Sequence, residues 1–248
     1  MSGSSGTGVA RVLATVARDI NAPRDVASTL DTIVNAAQRS LPGIDHVGVS
    51  ITHRDGTIET MAATDPLVLK LDQLQYELSE GPCVDSLRDA EVVSVSYADR
   101  YWDRWPRYMP KAVDLGLRAQ LALRLYVEES TLGGLNLYST ESDELPPDTP
   151  ELAEIFAAHA ALALGRANTE QNLNTALATR KAIGQAIGIL MVRYELTEER
   201  AFQYLSRVSQ TGNIKLRDVA LELVAQTEAA NQLPGEPPAS GGGRGSLR

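Results

Sequence analysis

The sequence predicts an α+β domain followed by a small all-α module, and three observations support this division. Residues 9–139 mix helical stripes with short alternating segments and show no regular βαβ repeat, which favours an antiparallel sheet flanked by helices. Residues 151–194 contain no proline, so one long helix can run through them. Residues 180–224 carry three blocks of apolar residues at helical spacing, which predicts a three-helix bundle.

The charge of the chain is unevenly distributed. The 248 residues carry a net charge of −9, which argues against a nucleic-acid binder if the chain is taken as a whole. However, residues 178–228 hold seven basic and six acidic side chains, whereas residues 1–177 hold 14 and 25. The C-terminal module therefore repels phosphate less than the rest, although it is not a basic patch. Such a charge favours weak, salt-sensitive, shape-dependent binding.

One cysteine, Cys83, is the only thiol in the sequence. A single cysteine cannot form an intramolecular disulfide or a cysteine-rich zinc site. The low cysteine content is typical of proteins in a reducing cytoplasm. No apolar run approaches the ~20 residues that span a bilayer, and no signal-peptide pattern is present. We therefore expect a cytoplasmic protein without membrane association.

The helices and strands of the N-terminal domain are predicted from the spacing of apolar residues and from the positions of proline and glycine. Residues 9–20 form one helical stripe, and a second helix is predicted from Pro23 to Leu41, where Pro42-Gly43 ends it. Alternating apolar residues predict five strands, and short helices are predicted around them. The predicted strands are 46–52, 58–62, 91–96, 118–127 and 132–139, and the short helices are 66–74, 82–90 and one after the aromatic-rich loop 101–116.

The C-terminal helices have recognisable ends. Thr197 before two glutamates predicts a helix start, Gly212 predicts a left-handed helix stop, and Asn213 is predicted to cap the third helix. Met191 and Phe202 are expected in the core. The three apolar blocks are Ile183, Ile187, Leu190 and Met191; then Ala201, Phe202, Leu205 and Val208; then Leu216, Val219, Ala220, Leu223 and Val224.

The long helix also carries a coiled-coil pattern. Residues at alternating three- and four-residue steps occupy the a and d positions of a heptad repeat, which predicts a parallel homodimer. Gly184 and Gly188 weaken the helix and would admit either a close helix approach or contact with a backbone. The predicted dimer positions are Leu173, Ala176, Ile183, Ile187 and Leu190, with Arg180 between them.

Candidate sites in the N-terminal domain are few. Cys83 follows a Gly-Pro turn at a helix start, and we predict a buried structural thiol, because a redox role lacks a resolving cysteine. Trp102 and Trp105 either line a ligand pocket with Cys83 or cover the sheet edge. The three histidines are far apart, and no nucleophile elbow, phosphate loop or zinc motif is present. We expect no catalysis, no metal and no cofactor.

The C-terminal module resembles the ANTAR domain, an RNA-binding antiterminator module of bacterial signalling proteins. Arg180 and the runs IGQAIGILM (183–191), ERAFQYLSRVSQ (199–210) and NIKLRDVA (213–220) carry the resemblance. Many family members have a lysine at the position of Ile187, so this chain lacks one phosphate contact. Basic side chains would meet phosphates, and Tyr204 and the polar residues would meet the bases of an RNA loop. The predicted RNA-binding residues are Arg180, Lys181, Gln185, Gly188, Tyr204, Arg207, Ser209, Asn213, Lys215 and Arg217.

The N-terminal domain resembles a GAF domain of the actinobacterial GAF–ANTAR kind. The runs EGPCVDSLRDAEVV (80–93), DRYWDRWP (99–106) and GGLNLYS (133–139) carry this resemblance. It implies a sensory domain that binds an unidentified small molecule or mediates dimers. The predicted segments are a disordered start (1–8), a GAF domain (9–163), a coiled-coil linker (164–179), an ANTAR domain (180–228) and a disordered tail (229–248).

Together these resemblances imply a transcription antitermination regulator. A dimeric sensor would present two modules to paired hairpin loops in a nascent leader RNA and so prevent a terminator from forming. Two alternatives remain open at this stage. One is a signalling scaffold whose helical C-terminus docks a protein, and the less favoured one is a small-molecule reductase that uses Cys83.

Overall fold

The computed structural model describes residues 25–53, 55–88, 91–128 and 130–232. The helical stripe predicted at 9–20, the start 1–8 and residues 233–248 lie outside these ranges. The chain divides into two compact units, Met1–Gln171 and Asn172–Arg248, and each is described by itself. None of the helices in the described ranges has the length and apolar character that crossing a membrane requires.

The N-terminal unit contains a five-stranded sheet with helices on both faces. Its helices are α1 (Val26–Ser40), α2 (Pro66–Leu78), α3 (Pro82–Arg88) and α4 (Met109–Asp114), with a 3₁₀ turn at Ala98–Tyr101. Its strands are β1 (His46–Thr52), β2 (Ile58–Ala63), β3 (Val92–Val95), β4 (Ala119–Val127) and β5 (Ser130–Ser139).

The sheet is antiparallel throughout, with strand order β2-β1-β5-β4-β3. This confirms the predicted α+β class. The central strand β5 pairs with both β1 and β4, so its two glycines lie in the middle of the sheet. A Cβ on Gly133 would lie 1.8 Å from the backbone oxygen of Ser50. The backbone of Ser50 therefore approaches so closely that only glycine fits at this position.

The two faces of the sheet differ in polarity because side chains alternate along each strand. On one face, Val47, Leu121 and Leu137 pack in a continuous apolar core that also contains Ile33 of α1 and Phe156. This core is the main hydrophobic stabilisation of the unit. On the other face, under α2, α3 and α4, polar side chains of the sheet are buried.

A single helix of 46 residues, α5 (Thr149–Tyr194), follows the sheet, so the predicted long helix is confirmed. The Thr149 hydroxyl at its start donates to the carbonyl oxygen of Pro42 at 2.8 Å. Buried alanines and Leu164 line the part that packs on the sheet. From residue 171 to residue 178 every side chain of α5 is exposed.

The C-terminal unit is a small helical bundle of the last turns of α5, α6 (Glu198–Gly212) and α7 (Leu216–Gln232). The Thr197 side chain accepts a hydrogen bond from the amide of Arg200, which confirms the predicted cap. Its core contains seven buried residues, Ala182, Ala186, Leu190, Ala201, Leu205, Val219 and Ala220.

Three expectations for this unit are corrected. Asn213, not Gly212, adopts the left-handed backbone that ends α6 (φ 51°), since asparagine tolerates this conformation. Residues 229–232, predicted in the tail, belong to α7, because no helix breaker precedes Pro234. Met191 and Phe202 are 37% and 45% exposed, because the core of the bundle is formed instead by four alanines, two leucines and one valine.

Candidate functional site

Among the completely buried polar side chains of the N-terminal unit, five come from the sheet and from α2. Ser50, Gln120 and Asn136 come from three neighbouring strands, and Asp72 and Gln75 come from α2. Burying polar groups is unfavourable unless they are hydrogen-bonded to one another. The sequence analysis did not identify this cluster, which we call the polar interior.

Asp72 is the centre of the polar interior. Its carboxylate accepts hydrogen bonds from the hydroxyl of Thr60 at 2.7 Å, from the amide of Asn136 at 2.8 Å and from the phenol of Tyr138. Burial raises the pKa of Asp72 to about 6, although the hydrogen bonds from Tyr138, Thr60 and Asn136 lower it. A carboxyl group with such a pKa changes charge near neutral pH.

Gln75 joins this carboxylate to the start of α3. Its amide nitrogen donates to the Tyr138 hydroxyl at 3.1 Å, and its amide oxygen accepts from the backbone amide of Cys83 at 2.8 Å. Gly81, with φ +126°, lies so close that a Cβ there would be 2.5 Å from the Gln75 oxygen. The Glu80-Gly81-Pro82 turn thus serves to bring α3 onto the polar interior.

Cys83 is completely buried, as predicted. Its sulfur lies 3.8 Å from the Ser50 hydroxyl and 4.0 Å from the Tyr76 hydroxyl. Burial, and then the nearby Asp72 carboxylate, raise the pKa of Cys83 to about 12. The thiol is therefore protonated at neutral pH, which is opposite to the activation that a redox nucleophile needs.

The two tryptophans do not share a site. Trp102 is 52% exposed, whereas Trp105 is 2% exposed. The indole N–H of Trp105 donates to the Asp85 carboxylate at 3.2 Å, and the ring stacks on Tyr101. Trp105 therefore belongs to an apolar cluster of the domain, whereas Trp102 is half-exposed, and both alternatives given above for Trp102 stay predictions.

The C-terminal unit has a groove of about 700 Å³ between the end of α5 and α7. Apolar side chains make up its walls, and polar groups lie among them. The lining residues are Gln185, Gly188, Ile189, Val192, Arg193, Val224, Thr227 and Glu228. The groove therefore brings two of the predicted RNA-binding residues, Gln185 and Gly188, into one depression.

A row of exposed side chains follows α6. Arg200, Tyr204 and Arg207 are separated by four and three residues, so they lie on one side of the helix. Tyr204 is half-exposed, so its ring is free to stack. This row places one aromatic ring between two guanidinium groups.

Family comparison accounts for both units. The model of the GAF domain matches residues 23–165, and the model of the ANTAR domain matches residues 171–224. The chain belongs to the GAF and ANTAR domain-containing proteins. GAF domains bind small ligands, ANTAR domains are RNA-binding modules, and their combination fits a regulator of the antitermination type. Comparison with curated protein sequences returned no match.

Solved structures share the fold of the GAF domain at low sequence identity. The GAF domain of an Acinetobacter phosphoenolpyruvate-protein phosphotransferase is 15% identical, with a TM-score of 0.53 over 69% of this chain and 99% of its own. The corresponding Coxiella burnetii domain is 18% identical, with a TM-score of 0.53 over 68% and 99%. The photosensory core module of Stigmatella aurantiaca phytochrome is 13% identical, with a TM-score of 0.59 over 91% of this chain and 47% of its own.

The predicted RNA-binding residues of the ANTAR domain fall into two groups. Arg180, Lys181, Gln185 and Gly188 are exposed on α5, and the others lie on α6, on the following turn and at the start of α7. The second group contains Tyr204, Arg207, Ser209, Asn213, Lys215 and Arg217. Most of these side chains are exposed, as RNA contact requires.

Three members of the second group have structural roles in the bundle. The Ser209 hydroxyl donates to the carbonyl oxygen of Ile214 at 2.6 Å, so it stabilises the turn between α6 and α7. Asn213 forms the left-handed end of α6. Arg217 is paired with the Asp218 carboxylate at 3.1 Å. Arg200 is not among the predicted residues, although it is exposed four residues before Tyr204 on the same side of α6.

The predicted dimer positions are not equivalent. Leu173 and Ala176 are exposed, whereas Leu190 is buried in the core of its own ANTAR domain, against which Ile183 and Ile187 also pack. The prediction that Leu190 faces a second chain is therefore wrong. The heptad pattern alone does not distinguish a seam between two chains from the core of one bundle.

Proposed function

We propose that the protein is a dimeric transcription antitermination regulator that binds RNA through its ANTAR domains and acts without catalysis. Two ANTAR domains would bind paired hairpin loops in a nascent leader transcript and stabilise them against the competing terminator. The exposed row of Arg200, Tyr204 and Arg207 on α6 is the observation that supports this most directly. The GAF domain would control when the two modules act together.

The chemistry of this row suits the loop of an RNA hairpin. Loop bases are unstacked and can stack on an aromatic ring such as that of Tyr204, while phosphates on either side meet guanidinium groups. Exposed Lys181 and Lys215 add charge elsewhere on the module. Because residues 178–228 carry nearly balanced charge, shape and stacking would contribute more to affinity than net attraction.

Pairing of modules compensates for modest charge. Once one hairpin of a leader has bound one ANTAR domain, the second hairpin meets the second, linked ANTAR domain at high effective concentration. This can raise the affinity for the whole leader by ~10²-fold or more. A leader with two hairpins would therefore bind much more tightly than a single hairpin. The acidic N-terminal part of the chain, with 14 basic and 25 acidic residues in 1–177, would discourage RNA from binding elsewhere.

The GAF domain supplies the signal in this proposal, by binding an unidentified small molecule. The polar interior is the part of the domain with the chemistry to recognise a polar ligand. In this structure its own side chains bond to one another, as in the contact between Asp72 and Tyr138. A ligand in the polar interior would have to replace that contact, which would couple binding to a rearrangement of the sheet and α2.

A titration of the intact protein with fluorescent RNA tests the proposal. Two-hairpin and one-hairpin leaders are compared by anisotropy at several salt concentrations. Tyr204→Ala should weaken binding at least about fivefold, because base stacking is worth ~1–3 kcal/mol, whereas Tyr204→Phe should retain it. Arg207→Ala should reduce the slope of log affinity against log salt by about one.

Gln203→Ala is the matched control, because Gln203 is exposed on the same helix and adjacent to Tyr204. Its affinity should equal that of the unmodified protein. Binding of neither leader at low salt would contradict the proposal. Equal loss in Gln203→Ala and Tyr204→Ala would show that α6 does not present a specific stacking surface.

A second candidate function, docking of a protein partner, is favoured by the groove between α5 and α7. Its apolar walls contain Ile189, Val192 and Val224, and such walls suit a helix of another protein. RNA binding has the stronger support, because the groove also contains Gln185 and Arg193 and the domain is an ANTAR domain. Val192→Lys separates the two, since it should abolish protein docking and leave RNA affinity unchanged or higher.

A further inference from the structure

A segment of the GAF domain rich in arginine and tryptophan, residues 97–107, belongs neither to the polar interior nor to the proposed RNA contacts. We call it the arginine–tryptophan loop. Trp102 within it is 52% exposed and has the largest side chain among the exposed apolar residues of the described ranges. An indole left in water forgoes the free energy of burying one of the largest apolar surfaces that a side chain offers. The loop therefore presents an apolar anchor that the GAF fold itself does not bury.

The backbone on either side of Trp102 is fixed. The amides of Arg104 and Trp105 both donate to the carbonyl oxygen of Tyr101 at 3.1 Å, which closes a turn around Trp102. The buried ring of Trp105 stacks on the ring of Tyr101, with 5.7 Å between the ring centroids. The exposed indole is thus part of a preordered loop, and a preordered group loses less conformational entropy when a partner binds.

Two carboxylates next to the polar interior hold the arginine–tryptophan loop. Asp85 accepts hydrogen bonds from the guanidinium of Arg104 at 2.9 Å and from the indole N–H of Trp105 at 3.2 Å. Glu80 accepts from the guanidinium of Arg107 at 2.6 Å and from its backbone amide at 2.9 Å. Glu80 lies in the turn that brings α3 onto the polar interior, and Asp85 lies on α3. A shift of α3 would therefore also move the loop.

The arginines of the loop keep hydrogen-bond donors that face solvent. The bonds within the protein use one N–H group of Arg104 and two of Arg107, and both side chains remain at least half-exposed. The exposed guanidinium of Arg100 lies 4.3 Å from the centre of the Tyr97 ring. It takes part in none of the ion pairs among the described residues. A guanidinium group matches a carboxylate in charge and in geometry, so the loop suits a partner rich in carboxylates.

We propose that the arginine–tryptophan loop is a docking surface for an acidic segment of another protein. The partner would supply an apolar pocket for Trp102 and aspartate or glutamate side chains for the guanidinium groups around it. Tryptophan and arginine are the residue types that most often contribute the binding energy of protein interfaces. Because the loop is tied to α3, a ligand that shifts α3 would change the affinity for this partner. The inference goes beyond the proposed RNA binding, since it concerns a different domain and a different class of partner.

Nucleic acid is the weaker candidate for this surface, although its phosphates would also attract guanidinium groups. Residues 1–177 carry 25 acidic and 14 basic side chains, so a polyanion that extends beyond the loop would be repelled by the rest of the domain. A short acidic segment of a protein contacts only the loop itself. It can also bury the indole in an apolar pocket, which a nucleic acid strand does not provide.

Selection of short random peptides, displayed on phage, against the full-length protein tests this surface. The recovered peptides are synthesised with a fluorescent label, and their affinities for the unmodified protein and its variants are measured by anisotropy. Trp102→Ala removes the apolar anchor, and Arg100→Gln removes one guanidinium group. Tyr126→Ala and Arg39→Gln are the matched controls, because both residues are exposed in the same domain but lie outside the loop. Circular dichroism verifies that each variant is folded.

The recovered peptides should combine aspartate or glutamate with apolar residues. Trp102→Ala should weaken their binding at least about tenfold and Arg100→Gln at least about threefold, whereas the two control variants should bind them unchanged. Recovery of no peptide, recovery of basic peptides, or an equal loss in Tyr126→Ala would overturn the inference. Single-stranded RNA that loses affinity in Trp102→Ala would overturn it in favour of a nucleic-acid contact. If Trp102→Ala still binds the two-hairpin leader normally, any of the other failures leaves the proposed function intact.

Discussion

The side-chain amide of Asn136 donates a 2.8 Å hydrogen bond to the carboxylate of Asp72 inside the GAF domain. The two residues are 64 positions apart in the sequence, and both are completely buried. Asn136 lies on the central strand β5, and Asp72 lies on α2. This contact therefore fixes the position of α2 over the sheet and places a titratable group at the centre of the domain.

Asp72 should make the stability of the GAF domain depend on pH. Burial raises the pKa of Asp72 to about 6 in the folded state, above ~3.9 in an unfolded chain. Between these values the folded state binds more protons, so the stabilisation is present below about pH 4 and is lost as the pH rises to about 6. The loss should approach about 3 kcal/mol.

Asp72→Asn should remove this contribution. We expect the difference in unfolding free energy between the unmodified protein and the variant to decrease from pH 4 to pH 6. Tryptophan fluorescence in denaturant measures it, because both tryptophans belong to the GAF domain. Asp31→Asn, at an exposed position of α1, is the control. A difference that is constant with pH would contradict the assigned role of Asp72.

Cys83 should be unreactive in the folded protein. Because burial raises its pKa to about 12, labelling by a thiol reagent at pH 8 should be at least about a thousandfold slower than labelling of an unstructured cysteine. Guanidinium chloride should restore rapid, stoichiometric labelling. Ala178→Cys, with its added thiol on an exposed part of α5, should label at once. Fast labelling of the native protein would instead support a redox role for Cys83.

Removal of Trp105 should cost the GAF domain much more stability than removal of Trp102. Trp105→Ala should destabilise the GAF domain by about 3–5 kcal/mol, because it deletes a buried ring and its hydrogen bond to Asp85. Trp102→Ala should change stability by less than about 1 kcal/mol, since the ring is half-exposed. Circular dichroism melts give both values. Similar losses from the two variants would mean that Trp102 is buried in solution.

Two glycines provide a further contrast. Gly133→Ala should destabilise the sheet by about 3 kcal/mol or more, because its Cβ would lie 1.8 Å from the backbone oxygen of Ser50. Gly184→Ala should stabilise α5 by roughly 0.5–1 kcal/mol in a monomer, because nothing lies within 4 Å of that Cβ. Tryptophan fluorescence measures the stability change of Gly133→Ala. Circular dichroism at low protein concentration measures that of Gly184→Ala. A destabilised Gly184→Ala monomer would reveal a contact within the chain.

Much of the secondary structure was determined by the sequence itself. The strands follow from the alternation of apolar residues, α5 from the absence of proline over its length, and the Thr197 cap from the capping preference of threonine. All three signals act between residues that are close in the sequence. The family resemblance of the two units likewise rests on local runs of residues, and both domain matches confirm it.

Only the tertiary structure decided which of two similar residues close together in the sequence is buried. Leu190 and Met191 have the same apolar character, and so do Trp102 and Trp105, yet one member of each pair is buried and the other is exposed. Burial depends on where helices and loops that are distant in the sequence pack. The local spacing of apolar residues does not specify that packing. The polar interior likewise depends on tertiary structure, because Asp72 contacts Tyr138 only when α2 packs on the central strand.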